Sequence, residues 1–210
     1  MIYLSGKVVA DPRIGTLLSF GGHERLHNHP VWAADNGCFV RPEKYSDDGF
    51  LRWLDRFDRT GCLFAVAPDV LADGDSTLAR ATPVLPLIRD LGYPAAFVGQ
   101  DGQQANRVPW GEIDALFIGG TTKWKLSGIA ADLVHEAKRR GKWVHMGRVN
   151  SWQRIHAAAC LGVDSVDGTM LAFGPDKNTP ILIDWLDRIE KEPFLFKSEA
   201  GKELLNGTIK

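Results

Sequence analysis

The feature that most constrains this chain is a rhythm. Short runs of apolar, β-branched and aromatic residues recur, each closing on turn residues and most leading into a stretch with helical spacing. Seven such runs stand out: Ile2 to Gly6, Val31 to Asp35, Leu63 to Asp69, Ala95 to Gln100, Ala115 to Gly120, Trp143 to Val149 and Ser165 to Thr169. Most are continuously apolar instead of alternating, as expected of strands covered on both faces, and such a strand followed by a helix is the βα unit of a parallel sheet. Between the runs, Phe50, Leu54 and Phe57 recur at the spacing of one helix face, as do Ile129, Leu133 and Ala137, then Leu182, Trp185, Leu186 and Ile189. Thr179 as N-cap and Pro180 at the first helical position predict where the last helix starts.

Repeated βα units either close into a barrel or lie open as a doubly wound sheet. No GxGxxG follows the first run, which argues against the dinucleotide-binding open sheet. The expectation is an α/β fold, a TIM-like (β/α) barrel over residues 1–192 with a polar C-terminal tail over 193–210. A full barrel has eight strands and typically about 250 residues. Seven runs in 210 residues therefore leave two readings, an abbreviated barrel or a strand the pattern does not disclose.

With 44% hydrophobic and 24% charged residues the chain has the make-up of a soluble globular domain. A net charge of −1 gives no global attraction for nucleic acid, so any such binding requires a local patch. Lys123, Lys125, Lys138, Arg139, Arg140, Lys142, Arg148 and Arg154 could supply one, or could simply complement helix dipoles. Three cysteines without CxxC spacing argue against a disulfide framework and a cysteine-rich zinc site, and point to a reducing compartment. No apolar run approaches the roughly eighteen residues of a membrane span, so a cytoplasmic location is expected. HERLHNH places His23, His27 and His29 close together, but in no spacing typical of a zinc site; a polar loop is the better reading and no metal is expected.

Polar residues collect where the apolar runs stop: Asp35 and Asn36, Asp69, Gln100 and Asp101, Gly119 and Gly120, Arg148 and Asn150, Asp164 and Asp167. One Asp at a strand end is usually a cap or a turn residue. Such residues at so many ends of a parallel barrel mark its active-site rim. Carboxylates and a carboxamide match the donors of a guanine-like edge, and a Gly-Gly pair permits close approach. A further carboxylate can attack a sugar carbon. By composition alone the same set would suit a sugar hydrolase or a divalent metal site.

Five segments, in order along the chain, carry a resemblance. VHMGRVNSWQRIHAAACLGVDSVDGT (Val144 to Thr169) resembles the tRNA-guanine transglycosylase stretch that reads as a Leu-Met-Gly strand end, a helix and Gly-Val-Asp-x-x-Asp. ADNGCF (Ala34 to Phe39) is similar to that family's Asp-Ser-Gly-Gly-aromatic motif, and APDV (Ala67 to Val70) to the strand end bearing a base-reading Asp. VGQDG (Val98 to Gly102) and IGG (Ile118 to Gly120) resemble its Val-Gln-Gly-Gly and Gly-Gly strand ends. The resemblance implies Asp167 as nucleophile, with Asp164 structural, and Asp35 as acid or base beside the departing base. It further implies that Asp69, Gln100, Gly119 and Gly120 read the base edge while Phe39 and Met146 sandwich its ring. No cofactor is implied. The family's cysteine-rich zinc motif has no counterpart in Gly168 to Lys210, and the chain looks closer to compact 7-deazapurine DNA modification proteins of the DpdA type. The expectation is a transglycosylase that replaces guanine by a 7-deazaguanine base in nucleic acid, DNA favoured over tRNA, with Lys123, Lys125 and Arg148 on the phosphate backbone. A nucleoside or nucleotide base hydrolase or exchange enzyme, and a non-catalytic deazapurine-binding barrel, are the alternatives.

Overall fold

A computed structural model of the chain describes residues 1–22, 30–40 and 42–191. His23, His27 and His29 and the expected tail over 193–210 lie outside the described residues. Eight parallel strands close into a barrel in sequence order: β1 (Ile2–Ser5), β2 (Ile14–Ser19), β3 (Trp32–Asp35), β4 (Cys62–Val66), β5 (Ala95–Gly99), β6 (Ala115–Ile118), β7 (Trp143–Met146) and β8 (Ser165–Asp167). β8 returns to β1 with Leu4 opposite Asp167. The barrel is thus complete, and its eighth strand is β2, which the run-and-helix rhythm passes over. Residues 6–13 connect β1 to β2 without a helix, so the usual amphipathic partner that flags a βα unit is missing there.

The remaining helices form the outer layer: α1 (Asp47–Leu54), α2 (Gly74–Ala81), α3 (Leu85–Asp90), α4 (Thr122–Lys125), α5 (Gly128–Arg139), α6 (Trp152–Cys160) and α7 (Pro175–Lys191). Five start on a side chain that accepts a hydrogen bond from the first turn: Ser46, Asp73, Thr121, Ser127 and Ser151. Such caps contribute about 1 kcal/mol each. Two expectations about helices need correction. α7 starts at Pro175, after the left-handed Gly174, and Asn178 N–H already donates to Gly174 O, so Pro180 lies inside the helix and Thr179 does not cap it. In α5 the buried stripe is Ala130, Leu133, Val134 and Ala137, and Ile129 is half-exposed.

Strand alternation divides the core in two. Leu4, Ala33, Phe64, Val66, Ala96, Val98 and Ala115 fill the barrel, joined by Leu17, Phe117 and Trp143. Their neighbours in sequence, such as Tyr3, Trp32, Phe97, Leu116, Val144 and Val166, pack outward against the helices. The inward phase also fixes what tops the barrel. Continuing it by two residues leads from Ala33 to Asp35, from Val98 to Gln100, from Phe117 to Gly119, from His145 to Gly147 and from Ser165 to Asp167.

Candidate active site

Two glycines in that top layer leave room for a cavity of about 130 Å³ at the C-terminal mouth. Neither position has space for a Cβ. At Gly119 it would lie 2.6 Å from Val98 Cγ1, and at Gly147 it would lie 2.7 Å from the Phe117 ring and 3.3 Å from Asp167 Oδ1. Asp35, Asp69 and Asp167 line the cavity with Gln100, Gly119 and Gly120. Phe39, Lys125 and Arg148, from the segments after β3, β6 and β7, are the other nominated residues that line it.

Met146 does not line this cavity, although it lines the small cleft beside it. It is buried in the outer core, because it follows inward-facing His145 by one residue and so faces the helices. Leu71, half-exposed, accompanies Phe39 on the cavity wall instead. Asp164 is not at a strand end either: it precedes β8 on the opposite, N-terminal floor, where it accepts from Val144 N–H at 2.8 Å and pairs with Lys138 at 2.6 Å. Its role is structural, as expected.

The basic patch divides in the same way. Lys138, Arg139, Arg140 and Lys142 end α5 or follow it at the floor. There they bind Asp164, Glu136 and the Ile113 carbonyl. Only Lys123, Lys125, Arg148 and Arg154 belong to the mouth. Lys123 is exposed, whereas Lys125 is buried and donates from Nζ to Gly147 O at 2.7 Å.

Asp69 is the most tightly held carboxylate. It accepts from Asn36 Nδ2 at 3.2 Å and Gln100 Nε2 at 2.6 Å, with Cys38 Sγ at 3.6 Å. Burial raises its pKa, and these hydrogen bonds oppose the rise. Gln100 is anchored at its other end too, since Oε1 accepts from Ala72 N–H at 3.0 Å. The carboxamide therefore fixes Asp69 and has one remaining Nε2 hydrogen to offer the cavity. Asp101 accepts from Thr121 N–H at 2.8 Å and Thr121 Oγ1 at 2.7 Å, bracing the left-handed turn at Gly120.

Among the described residues Asp35 has only the Ser19 hydroxyl as a side-chain donor, at 3.4 Å. Burial pushes its pKa up to about 7, with the charges of Asp69 and Asp167 adding to the rise. It is therefore poised to give or take a proton near neutrality. Burial likewise pulls Lys125 down to about 8, opposed by Asp167 and reinforced by Arg148 and Arg154.

A residue that sequence reading misses lies beneath Asp167. His145 is fully buried inside the barrel between Phe64 and Phe117, at ring distances of 5.0 and 4.5 Å. Its Nδ1 meets Ser165 Oγ at 2.8 Å and its Nε2 meets Asp167 Oδ1 at 2.9 Å. Trp143 Nε1, which can only donate, gives its proton to the same Ser165 Oγ at 2.8 Å. The hydroxyl is then free to donate to Nδ1, leaving Nε2 as the N–H that binds Asp167. Trp143, Ser165 and His145 thus form a directed chain ending on Oδ1, while among the described residues Oδ2 has only Arg148 N–H at 3.4 Å. The sole trace in sequence is the inward phase of β7, which places His145 two residues before Gly147.

Among the described residues no group of three or more His, Cys, Asp or Glu is arranged to hold a metal ion, and no helix is long and apolar enough to cross a membrane. No family model matches the chain, and no curated protein does. Among solved structures, tryptophan synthase from M. tuberculosis is 19% identical, over 76% of this chain and 59% of that one, with a TM-score of 0.47. The tryptophan synthase a2b2 complex of Pyrococcus furiosus is 16% identical, over 80% of this chain and 67% of that one, with a TM-score of 0.46. The Bacillus subtilis YkuI protein, with an EAL domain and solved with c-di-GMP and calcium, is 12% identical, over 80% and 47%, with a TM-score of 0.47. Likenesses of this extent say nothing about the site; the chain is a complete eight-stranded (β/α) barrel on the strength of its own strand pairing.

Proposed function

We propose that this barrel is a glycosyl-transferring enzyme that exchanges the purine-like base of a nucleoside unit. The observation that carries the reading is the contrast between two carboxyl groups in one cavity. Asp167 is held from below by an imidazole N–H, and Asp35 is pushed into the range where it exchanges a proton at neutral pH. In the first step Asp167 Oδ2, the less engaged oxygen, bonds to the anomeric carbon. The glycosidic C–N bond breaks, and its electron pair leaves with the base, which takes a proton from Asp35. In the second step the incoming base loses a proton to Asp35 and bonds to the same carbon, releasing Asp167. Two displacements retain configuration. Asp69, fixed by Asn36 and Gln100, and the close approach at Gly119 and Gly120 suit the edge of guanine or a 7-deazaguanine, with Phe39 against its ring. None of these steps calls on a redox or metal cofactor.

DNA with the target base unpaired or flipped out is the favoured polymer, because a stacked base cannot enter a cavity of this size. A second reading has its own support: the ion-paired floor cations are removed from the basic patch, so only a few cations flank the mouth, enough for a nucleotide without an extended backbone track. The deciding measurement is incorporation of labelled guanine and 7-deazaguanine into single-stranded DNA, duplex DNA, bulk tRNA, free nucleosides and nucleotides. Exchange into unpaired DNA is expected. Exchange into nucleosides or nucleotides alone selects the second reading, and absence of exchange or base release on every substrate discards glycosyl transfer.

A further inference from the structure

The cavity has walls of opposite charge. The acidic wall is accounted for by the chemistry proposed above; the basic wall is not. Lys125 is only 4% exposed, yet its ammonium makes one hydrogen bond, to a carbonyl, and no ion pair among the described residues. Neither Arg148 nor Arg154 has a carboxylate partner there, although Arg154 Nη1 reaches Arg148 O at 3.3 Å. Arg148 is exposed and Arg154 half-buried, so it is Lys125 that lacks the pairing a buried charge normally has. Lys125, Arg148 and Arg154 also line a single small cleft that shares Lys125, Gly147 and Arg148 with the main cavity.

The backbone beneath this cleft carries a local strain. Arg148 has φ of 59°, a left-handed conformation that a long side chain adopts at a cost. Gly147 beside it excludes any side chain. The segment follows β7, one of the two positions from which barrels of this kind commonly bind phosphate. The charges of Asp167 and Asp101 act on Lys125, but among the described residues neither carboxylate forms an ion pair with any of the three cations. A cluster of three cations fits a doubly charged or tetrahedral anion better than a carboxylate, and Arg and Lys are the usual donors to one.

We propose that Lys125, Arg148 and Arg154 form a phosphate subsite at the basic side of the mouth, which takes a phosphate group carried by the sugar whose base enters the acidic side. The group is either a terminal 5′-phosphate or the diester flanking an extruded nucleotide. The nucleoside that carries the phosphate rests on the base-handling reading; anion binding by the three cations does not.

The test is calorimetric titration of the full chain at pH 7 with inorganic phosphate, 2′-deoxyguanosine, its 5′-monophosphate and a short single-stranded oligodeoxynucleotide. The monophosphate is expected to bind at least about tenfold tighter than the nucleoside, with inorganic phosphate competing. Arg148→Gly, which tolerates the left-handed backbone, and Arg154→Gln should each remove most of that advantage even if Lys125→Met fails to fold. Lys138→Met, at the floor, should leave it intact. An advantage confined to the oligonucleotide and lost in the same variants assigns the diester. Phosphate binding that depends on Arg148 without nucleoside binding keeps the subsite and discards the base reading. Equal affinity for nucleoside and monophosphate, with oligonucleotide binding indifferent to Arg148→Gly and Arg154→Gln, overturns the subsite.

Discussion

The floor and the mouth of this barrel treat charge in opposite ways. At the floor, Lys138 pairs with Asp164 at 2.6 Å, Arg139 and Arg140 share Glu136 at 2.7 and 2.6 Å, and Arg13 reaches Asp11 and Asp187 at 2.7 Å. The hydrogen bonds from Arg139 and Arg140 hold Glu136 down at about 2, and that from Arg13 lowers Asp11. At the mouth like charges are gathered together. Asp35 is pushed up to about 7 and Lys125 down to about 8, each toward its neutral form. Ionisation therefore supports folding at one end and opposes it at the other. Charge arranged against stability around a cavity is what an active site requires and what a packing surface would not retain.

The sharpest way to break the contrast is to remove the proposed nucleophile. Asp167→Asn keeps the shape of the side chain but not its nucleophilicity. Transfer should fall by at least about a thousandfold, with base binding nearly intact, as single-turnover and equilibrium binding measurements would separate. Wild-type exchange in this variant would remove Asp167 from the mechanism. Next in size is the support beneath it. His145→Leu strands Asp167 Oδ1 and the Ser165 hydroxyl inside the barrel and should lower unfolding free energy by about 3 kcal/mol, read from urea denaturation. His145→Gln, which can still donate to Oδ1, should recover part of that loss and more of the transfer rate; if leucine and glutamine behave alike, the directed chain does not matter.

How much of this was legible follows the same division. The strand runs placed Asp35, Asp69, Gln100, Gly119 and Asp167 on one rim, because continuous apolar character locates a buried strand well. The same continuity hides which face each residue takes. Met146 therefore reads as a site residue while His145, its inward neighbour, goes unnoticed. β2 escapes because Ile14–Ser19 mixes glycine, threonine and serine with its apolar residues and follows no helix. The patch from Lys123 to Arg154 looks uniform in sequence. Its division arises because α5 runs back to the floor, where Asp164 and Glu136 wait for its basic end. Lys125 could not be distinguished from its exposed neighbours by type alone; only the fold buries it.

A smaller effect, with the opposite sign, is expected at Asp35. Its pKa rises from 3.8 to about 7 on folding, so between those values the folded chain holds a proton that the unfolded chain has released. Stability is fully supported below about pH 4 and is lost as the pH rises through 7. Asparagine has no such dependence. Asp35→Asn should match the wild type near pH 4 and exceed it at pH 8, while losing proton transfer. Denaturation curves at the two pH values would check this, and a variant less stable than wild type at pH 8 would show that Asp35 is needed for packing and is not held there at a cost.

The smallest effect belongs to the floor, and it completes the comparison. Lys138→Met removes the cation facing Asp164, yet Asp164 Oδ2 still accepts from Val144 N–H at 2.8 Å, so the carboxylate keeps its structural contact at the head of β7. Both partners are partly solvent-exposed, at 39% and 24% of the side chain, and water screens what the pair contributes. Pairs of this kind are worth about 0.2–1 kcal/mol. The variant should therefore lose no more than about 1 kcal/mol in low salt, a loss that shrinks as ionic strength rises, with transfer and phosphate binding unchanged. Chemical denaturation at two salt concentrations measures it. A loss comparable to that of His145→Leu, or any change in transfer, would mean that the two ends of the barrel are coupled and that the floor is not merely its foundation.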